Sequence, residues 1–165
     1  MVGCSPGTSE VSSTRAARVS APRVGSEPLD HLATTRSFAG RVRTDATPLT
    51  WKGQSFQPSL DRTAPLASSD LIVDLPLYGD DPVSLTTRGK PSVSARIRPL
   101  GTSHVSGEPA SNAMVYRDVR AGEDLVHVAD RGFVEEIRLV REPGTKVKAQ
   151  YRLDWGSGID HARIR

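Results

Sequence analysis

The sequence has one cysteine, few aromatic residues and no long apolar run. A single cysteine, Cys4, excludes an internal disulfide and a cysteine-based zinc site. No apolar stretch approaches the ~18 residues needed for a membrane-spanning helix. Aromatic residues make up 5% of the chain and hydrophobic ones 36%, against the usual ~45–50% in a count that includes glycine. Catalytic signatures are absent too. There is no G-x-S-x-G, no G-x-G-x-x-G, no P-loop and no H-E-x-x-H. The histidines His31, His104, His127 and His161 lie far apart in sequence and give metal chemistry no support. The expectation is a chain that is not an enzyme and binds no cofactor.

The net charge is +3 over 165 residues. Residues 1–66 hold 8 Lys/Arg and 5 Asp/Glu, and residues 67–165 hold 14 of each. The basic excess therefore belongs to the front of the chain. Nucleic-acid binding needs a basic patch with aromatics near it. Here Arg15, Arg18, Arg23, Arg36, Arg41 and Arg43 are scattered singly, with only Phe38 and Trp51 close by. A solvated tail accounts for them, and no nucleic-acid partner is expected.

Fourteen of the first fifty residues are Ser or Thr, with four Pro and four Gly. Such a segment buries too little apolar area to offset the entropy of ordering it. Residues 1–36 are expected to be a disordered tether. Residues 37–66 are expected to be a linker with the first weak strands, and residues 67–165 a β-rich domain. The start, Met1-Val2-Gly3-Cys4-Ser5, resembles the end of a bacterial lipoprotein signal, in which small residues precede the cysteine that becomes lipidated. The Ser/Gly/Pro/Thr-rich stretch after Cys4 fits the leash of such a protein. No basic start and no 7–15-residue apolar region precede Cys4. The alternatives are a chain start further upstream with a lipid on Cys4, or a free thiol in the tail.

From residue 70 onward the hydrophobic pattern has period two. Leu71–Leu75 is a strand that Pro76 ends, and Tyr78–Pro82 is a turn. Val83–Leu85 and Val93–Arg98 alternate, and residues 102–112 read as loop. Ala113–Tyr116 begins another strand. The clearest hairpin runs from Asp124 to Val140. In it Leu125, His127 and Ala129 face one way and Val126 and Val128 the other, with Gly132 in the turn. Val147, Ala149, Tyr151 and Leu153 alternate with polar residues and predict a half-buried strand. Ile159–Ile164 starts a last strand that reads as truncated. Short strands joined by Gly/Pro/Asp turns predict an all-β, antiparallel sandwich or rolled sheet.

Candidate sites are few. Glu135 and Glu136 face opposite sides of a strand, so they cannot flank one bond as a glycosidase pair must. Asp124 could lie near one of them across the hairpin, but the favoured reading is solvated or Arg-paired carboxylates, with Arg131 and Arg138 as candidate partners. Asp80-Asp81 supplies too few oxygens for calcium and reads as a capped turn. His127 is expected to be a partly buried structural residue. Ser157, between Gly156 and Gly158, lacks the spacing of a nucleophile elbow. Trp155 is expected in the core.

The run Val115-Tyr116-Arg117-Asp118-Val119-Arg120-Ala121-Gly122-Glu123-Asp124-Leu125-Val126, followed by Gly132–Leu139, resembles a module of large secreted bacterial proteins. That module lies upstream of RHS-type YD repeats or of β-propeller or kelch-like repeats. The resemblance covers about residues 70–160. Ala121, His127 and Glu135 depart from its usual Pro, Tyr and Lys. It implies export to the cell envelope or beyond, and a structural or presentation role with no catalytic residues to transfer. The expected function is a non-enzymatic structural or interaction module, with a lipid anchor at Cys4 as its membrane contact. The partner would be a repeat domain or another envelope protein. The alternatives are a carbohydrate-binding β-sandwich and an N-terminal fragment of a longer repeat protein.

Overall fold

In the computed structural model, the described residues are 48–59, 71–130, 132–141, 147–156 and 159. Their strands in chain order are β1 (Leu49–Trp51), β2 (Ser55–Pro58), β3 (Leu71–Pro76), β4 (Val83–Thr87) and β5 (Ser94–Pro99). These are followed by β6 (Glu108–Ala110), β7 (Ala113–Arg120), β8 (Glu123–Asp130), β9 (Phe133–Val140) and β10 (Tyr151–Trp155). One sheet has the order β1-β2-β3-β4-β5-β10 and the other β6-β7-β8-β9. Every pairing is antiparallel. The chain thus builds five strands of the first sheet, then the whole second sheet, and returns as β10 beside β5. The all-β antiparallel sandwich expected from the period-two pattern is the architecture found.

The main core lies between the sheets. Leu49, Phe56, Val73, Leu75 and Val83 of the six-stranded sheet meet Met114, Tyr116, Val119, Leu125 and Ala129 of the other. Among the described residues of the expected 37–66 segment, β1 and β2 both join the six-stranded sheet, with Trp51 and Phe56 in ring contact at 4.8 Å. The opposite face of the four-stranded sheet carries a second buried cluster. It consists of Ala113, Val115, Val126 and Val128, with Ile137 and Leu139 packed against it. The face assignments expected for Leu125, His127 and Ala129 against Val126 and Val128 hold.

A β-bulge explains the strand β7. Tyr116 pairs with Leu125, yet Arg120 pairs with Glu123, so three residues, 117–119, stand against Asp124 alone, two more than a regular ladder holds. Asp118 takes φ +53° there. In an unbroken strand, Tyr116 and Val119 would face opposite sides. The irregularity, with Asp118 in the left-handed region, turns Val119 inward, and both are fully buried in the same core. The amide that the bulge removes from the ladder is not wasted on solvent: Asp118 N–H donates to Asp124 Oδ1 at 2.8 Å. Gly122, at φ +70°, then closes the two-residue turn into β8.

Three expectations fail. Residues 102–112 are not all loop, because β6 pairs with β7 from Glu108 to Ala110. The Ser, Gly, Pro and Asn content hides a short strand made by tertiary pairing rather than propensity. Val147 to Gln150 lie outside a strand, and β10 begins only at Tyr151. All five β10 residues are exposed rather than half-buried, because the strand is the sheet's edge and the narrower second sheet covers it incompletely. Trp155 is likewise not in the core; it is 49% exposed. The tether (1–36), Cys4, His31, Arg131, Ser157, His161 and the strand starting at Ile159 fall wholly or mostly outside the described residues.

Candidate functional site

The polar residues that sequence pattern scattered along one hairpin converge on the inner face of the four-stranded sheet. Register places His127 opposite Glu136, Leu125 opposite Arg138, and Glu123 opposite Val140. Alternation then turns His127, Glu136, Arg138 and Glu123 to one side. His127 Nε2 lies 3.2 Å from Glu136 Oε2. Arg138 Nε donates to Glu136 Oε1 at 2.8 Å, and Arg138 Nη1 donates to Glu123 Oε1. Arg120 Nη1 extends the chain of charge, 3.7 Å from Glu123 Oε2. From the other sheet, the Tyr151 hydroxyl donates to Glu136 Oε1, and its ring lies under the Arg138 guanidinium at 5.7 Å.

This lattice sets its own protonation. Burial alone would push the Glu136 carboxyl up, but hydrogen bonds from His127, Tyr151 and Arg138 outweigh it and hold the group at about 2, against an ordinary 4.5. Burial, then the neighbouring Glu136 carboxylate, pushes the Tyr151 hydroxyl up. Arg138 loses by burial but gains more from Glu136 and Glu123, so its charge is held firmly. His127 Nδ1, Arg138 Nη2 and Asn112 Oδ1 are buried with no hydrogen-bond partner among the described residues. An arrangement of this kind fixes β9 against β8 and pins β10 to β9. A general base must reach a substrate proton, and His127, whose side chain is 2% exposed and whose Nε2 faces Glu136, is placed to hold structure.

A second polar constellation joins loops. His104 Nδ1 lies 2.7 Å from Asp80 Oδ1, and the His104 ring stacks on Tyr78 with centroids 4.0 Å apart. The backbone runs beside it in a tight strap, with Gly79 N–H on Val105 O and Gly107 N–H on Leu77 O. Beneath the strap Tyr116 is fully buried, and its hydroxyl donates to Pro76 O at 2.7 Å. Gly107 has no room for a side chain: a Cβ there would sit 2.5 Å from the Tyr116 ring.

The individual expectations sort cleanly. Glu135 and Glu136 do face opposite sides, and Arg138 does pair with Glu136. His127 is more deeply buried than expected. Asp124 does not approach Glu135 or Glu136. It sits opposite Leu139 and serves the Asp118 bulge, with Arg141 Nη2 at 3.6 Å. Asp80 is held by His104 in a turn where Asp81 N–H donates to Tyr78 O. Among the described residues no three His, Cys, Asp or Glu side chains gather as a metal site. The pairing of His104 with Asp80 was hidden in sequence, because the two residues are 24 apart.

The remaining feature is an exposed apolar face. Tyr151, Leu153 and Trp155 share one side of β10 and are 40%, 43% and 49% exposed. Compared with family models, with curated proteins and with solved structures, the chain matches none.

Proposed function

We propose that this chain is a non-enzymatic structural and interaction module of an exported bacterial protein, acting at the cell envelope or outside the cell. The observation that carries this reading is the Tyr151–Leu153–Trp155 face, three large side chains held exposed on an edge strand. Apolar surface at an open sheet edge is what strand addition and face docking use. The run resembling the secreted-protein module supports the same reading through its own chemistry. Tyr116, Asp118, Val119, Gly122, Asp124 and Leu125 are all taken up by the bulged hairpin and by the core and β3 contacts beneath it, which is the economy of a scaffold. The partner is a repeat domain or another envelope protein, and a lipid on Cys4 would be the membrane contact.

Fractionation of the native host cell with intact-mass measurement tests this. A chain beginning at Cys4 with added acyl mass in the envelope fraction is the expected result. An unmodified chain found only in the cytoplasm would sink the exported role.

Carbohydrate binding is the second reading, favoured by Tyr151 and Trp155 on one exposed face. It expects polysaccharide to alter tryptophan fluorescence and a Trp155→Ala chain to lose the response. The third, a front piece of a longer repeat protein, would set the next repeat against this same face.

A further inference from the structure

The backbone of β10 says more than its side chains. Gly156 N–H donates to Ser94 O, and Leu100 N–H donates to Gln150 O. In an antiparallel ladder, hydrogen-bonded and non-hydrogen-bonded pairs alternate. Arg152 and Asp154 therefore turn their N–H and C=O groups toward β5, and Tyr151, Leu153 and Trp155 turn theirs away from it. The position of Pro99 agrees, since it lies opposite Tyr151 and has no N–H to give. Among the described residues no strand takes up these outward groups.

The sequence of β10, Tyr-Arg-Leu-Asp-Trp, is complementary to its own reverse. We infer that β10 pairs antiparallel with β10 of a second copy of this chain, about a two-fold axis at Leu153. Leu153 then faces Leu153 of the second copy, and Tyr151 faces Trp155. These are the residues whose N–H and C=O groups point outward, so each such pair exchanges two hydrogen bonds. Arg152 faces Asp154 in the intervening pair, where side chains approach most closely. The two charges already touch within one chain, at 3.1 Å, and both are exposed and free to re-pair. In-register parallel pairing would set Arg152 against Arg152 and Asp154 against Asp154. The two-fold keeps both inner faces on the same side, so the six-stranded sheets join edge to edge and the exposed aromatic strip becomes continuous. The proposal deepens the reading of β10 as a contact surface and rests on it.

Sedimentation of the full chain across about 1–100 µM tests it. The native chain is expected to pass from monomer to dimer over that range. Arg152→Asp and Asp154→Arg chains each set like charges opposite one another, and each is expected to weaken the dimer about tenfold or more. Mixing the two singly substituted chains restores complementary charge at both positions, and so does combining both substitutions in one chain. Both are expected to recover the dimer. Unchanged melting of the dilute variants shows that the fold is kept. A native chain that stays monomeric, or single variants that dimerise like the native chain, would overturn self-pairing. Either result leaves envelope export, which is measured separately in cell fractions, standing.

Discussion

The β7–β8 hairpin and β10 are built from similar alternating sequence, and the fold uses them in opposite ways. In the hairpin both faces are buried: Tyr116, Leu125 and Ala129 on one side, Val115, Val126 and Val128 on the other. Three of its polar residues are enclosed as well, with Glu123, Asp124 and His127 each at most 5% exposed. In β10 no residue is buried. Alternation therefore tells which residues share a face, and only sheet position tells whether that face is covered. A central strand has neighbours on both edges. An edge strand on the wider sheet of a sandwich has a neighbour on one edge and incomplete cover above.

Substitutions in the hairpin and in the residues packed against it should sharpen this contrast most. Tyr116→Ala removes a fully buried ring and the donor to Pro76 O, and is expected to cost about 4 kcal/mol in urea unfolding. Arg138→Leu leaves Glu136 and Glu123 without their shared cation, and is expected to cost about 3 kcal/mol. Gly107→Ala is expected to cost about 2 kcal/mol, because its methyl would press on the Tyr116 ring. A Tyr116→Ala chain as stable as the native one would mean that the strap over this ring contributes nothing.

What sequence made legible follows the same division. The β8–β9 hairpin, its turn at Gly132 and its two faces are local features, and period two reveals local features. The short strand β6 was not legible, since Glu108, Pro109 and Ala110 become a strand only through pairing with β7. The role of Asp124 was not legible either, because a bulge changes register without changing composition. Among site residues, the Arg138–Glu136 pair could be read from proximity on one strand. Tyr151 could not, since it reaches Glu136 from the other sheet, 15 residues away. The exposure of Trp155 was the clearest failure, because size and hydrophobicity alone argue for burial.

The lattice between the two regions makes acid stability a readout of how they are joined. Glu136 is held at about 2 in the folded chain, below its ordinary 4.5. A carboxyl depressed by folding stabilises above its unfolded value and loses that contribution as pH falls through the folded one. Stability measured by urea midpoints is therefore expected to decline between about pH 5 and pH 2. Glu136→Gln should flatten that decline. Tyr151→Phe removes one donor from the carboxylate and should move the decline to higher pH, by less than Glu136→Gln changes it. A decline identical in all three chains would mean that Glu136 is not tied to β10.

The smallest expected effect lies at Leu153 itself. Its side chain is on the same face as Val83 and Ile97 across the sheet, yet it remains 43% exposed. Exposed substitutions away from caps and ion pairs usually stay within about 0.5 kcal/mol. Leu153→Ser is therefore expected to change the urea midpoint of a dilute sample by no more than that. Association makes stability depend on concentration, so the native chain should melt higher as it is concentrated, and the Leu153→Ser chain should gain less. A loss above about 2 kcal/mol in dilute solution would place Leu153 within the packed interior of a single chain. The hairpin and the edge strand would then differ in degree only, and β10 would have no face to offer a partner.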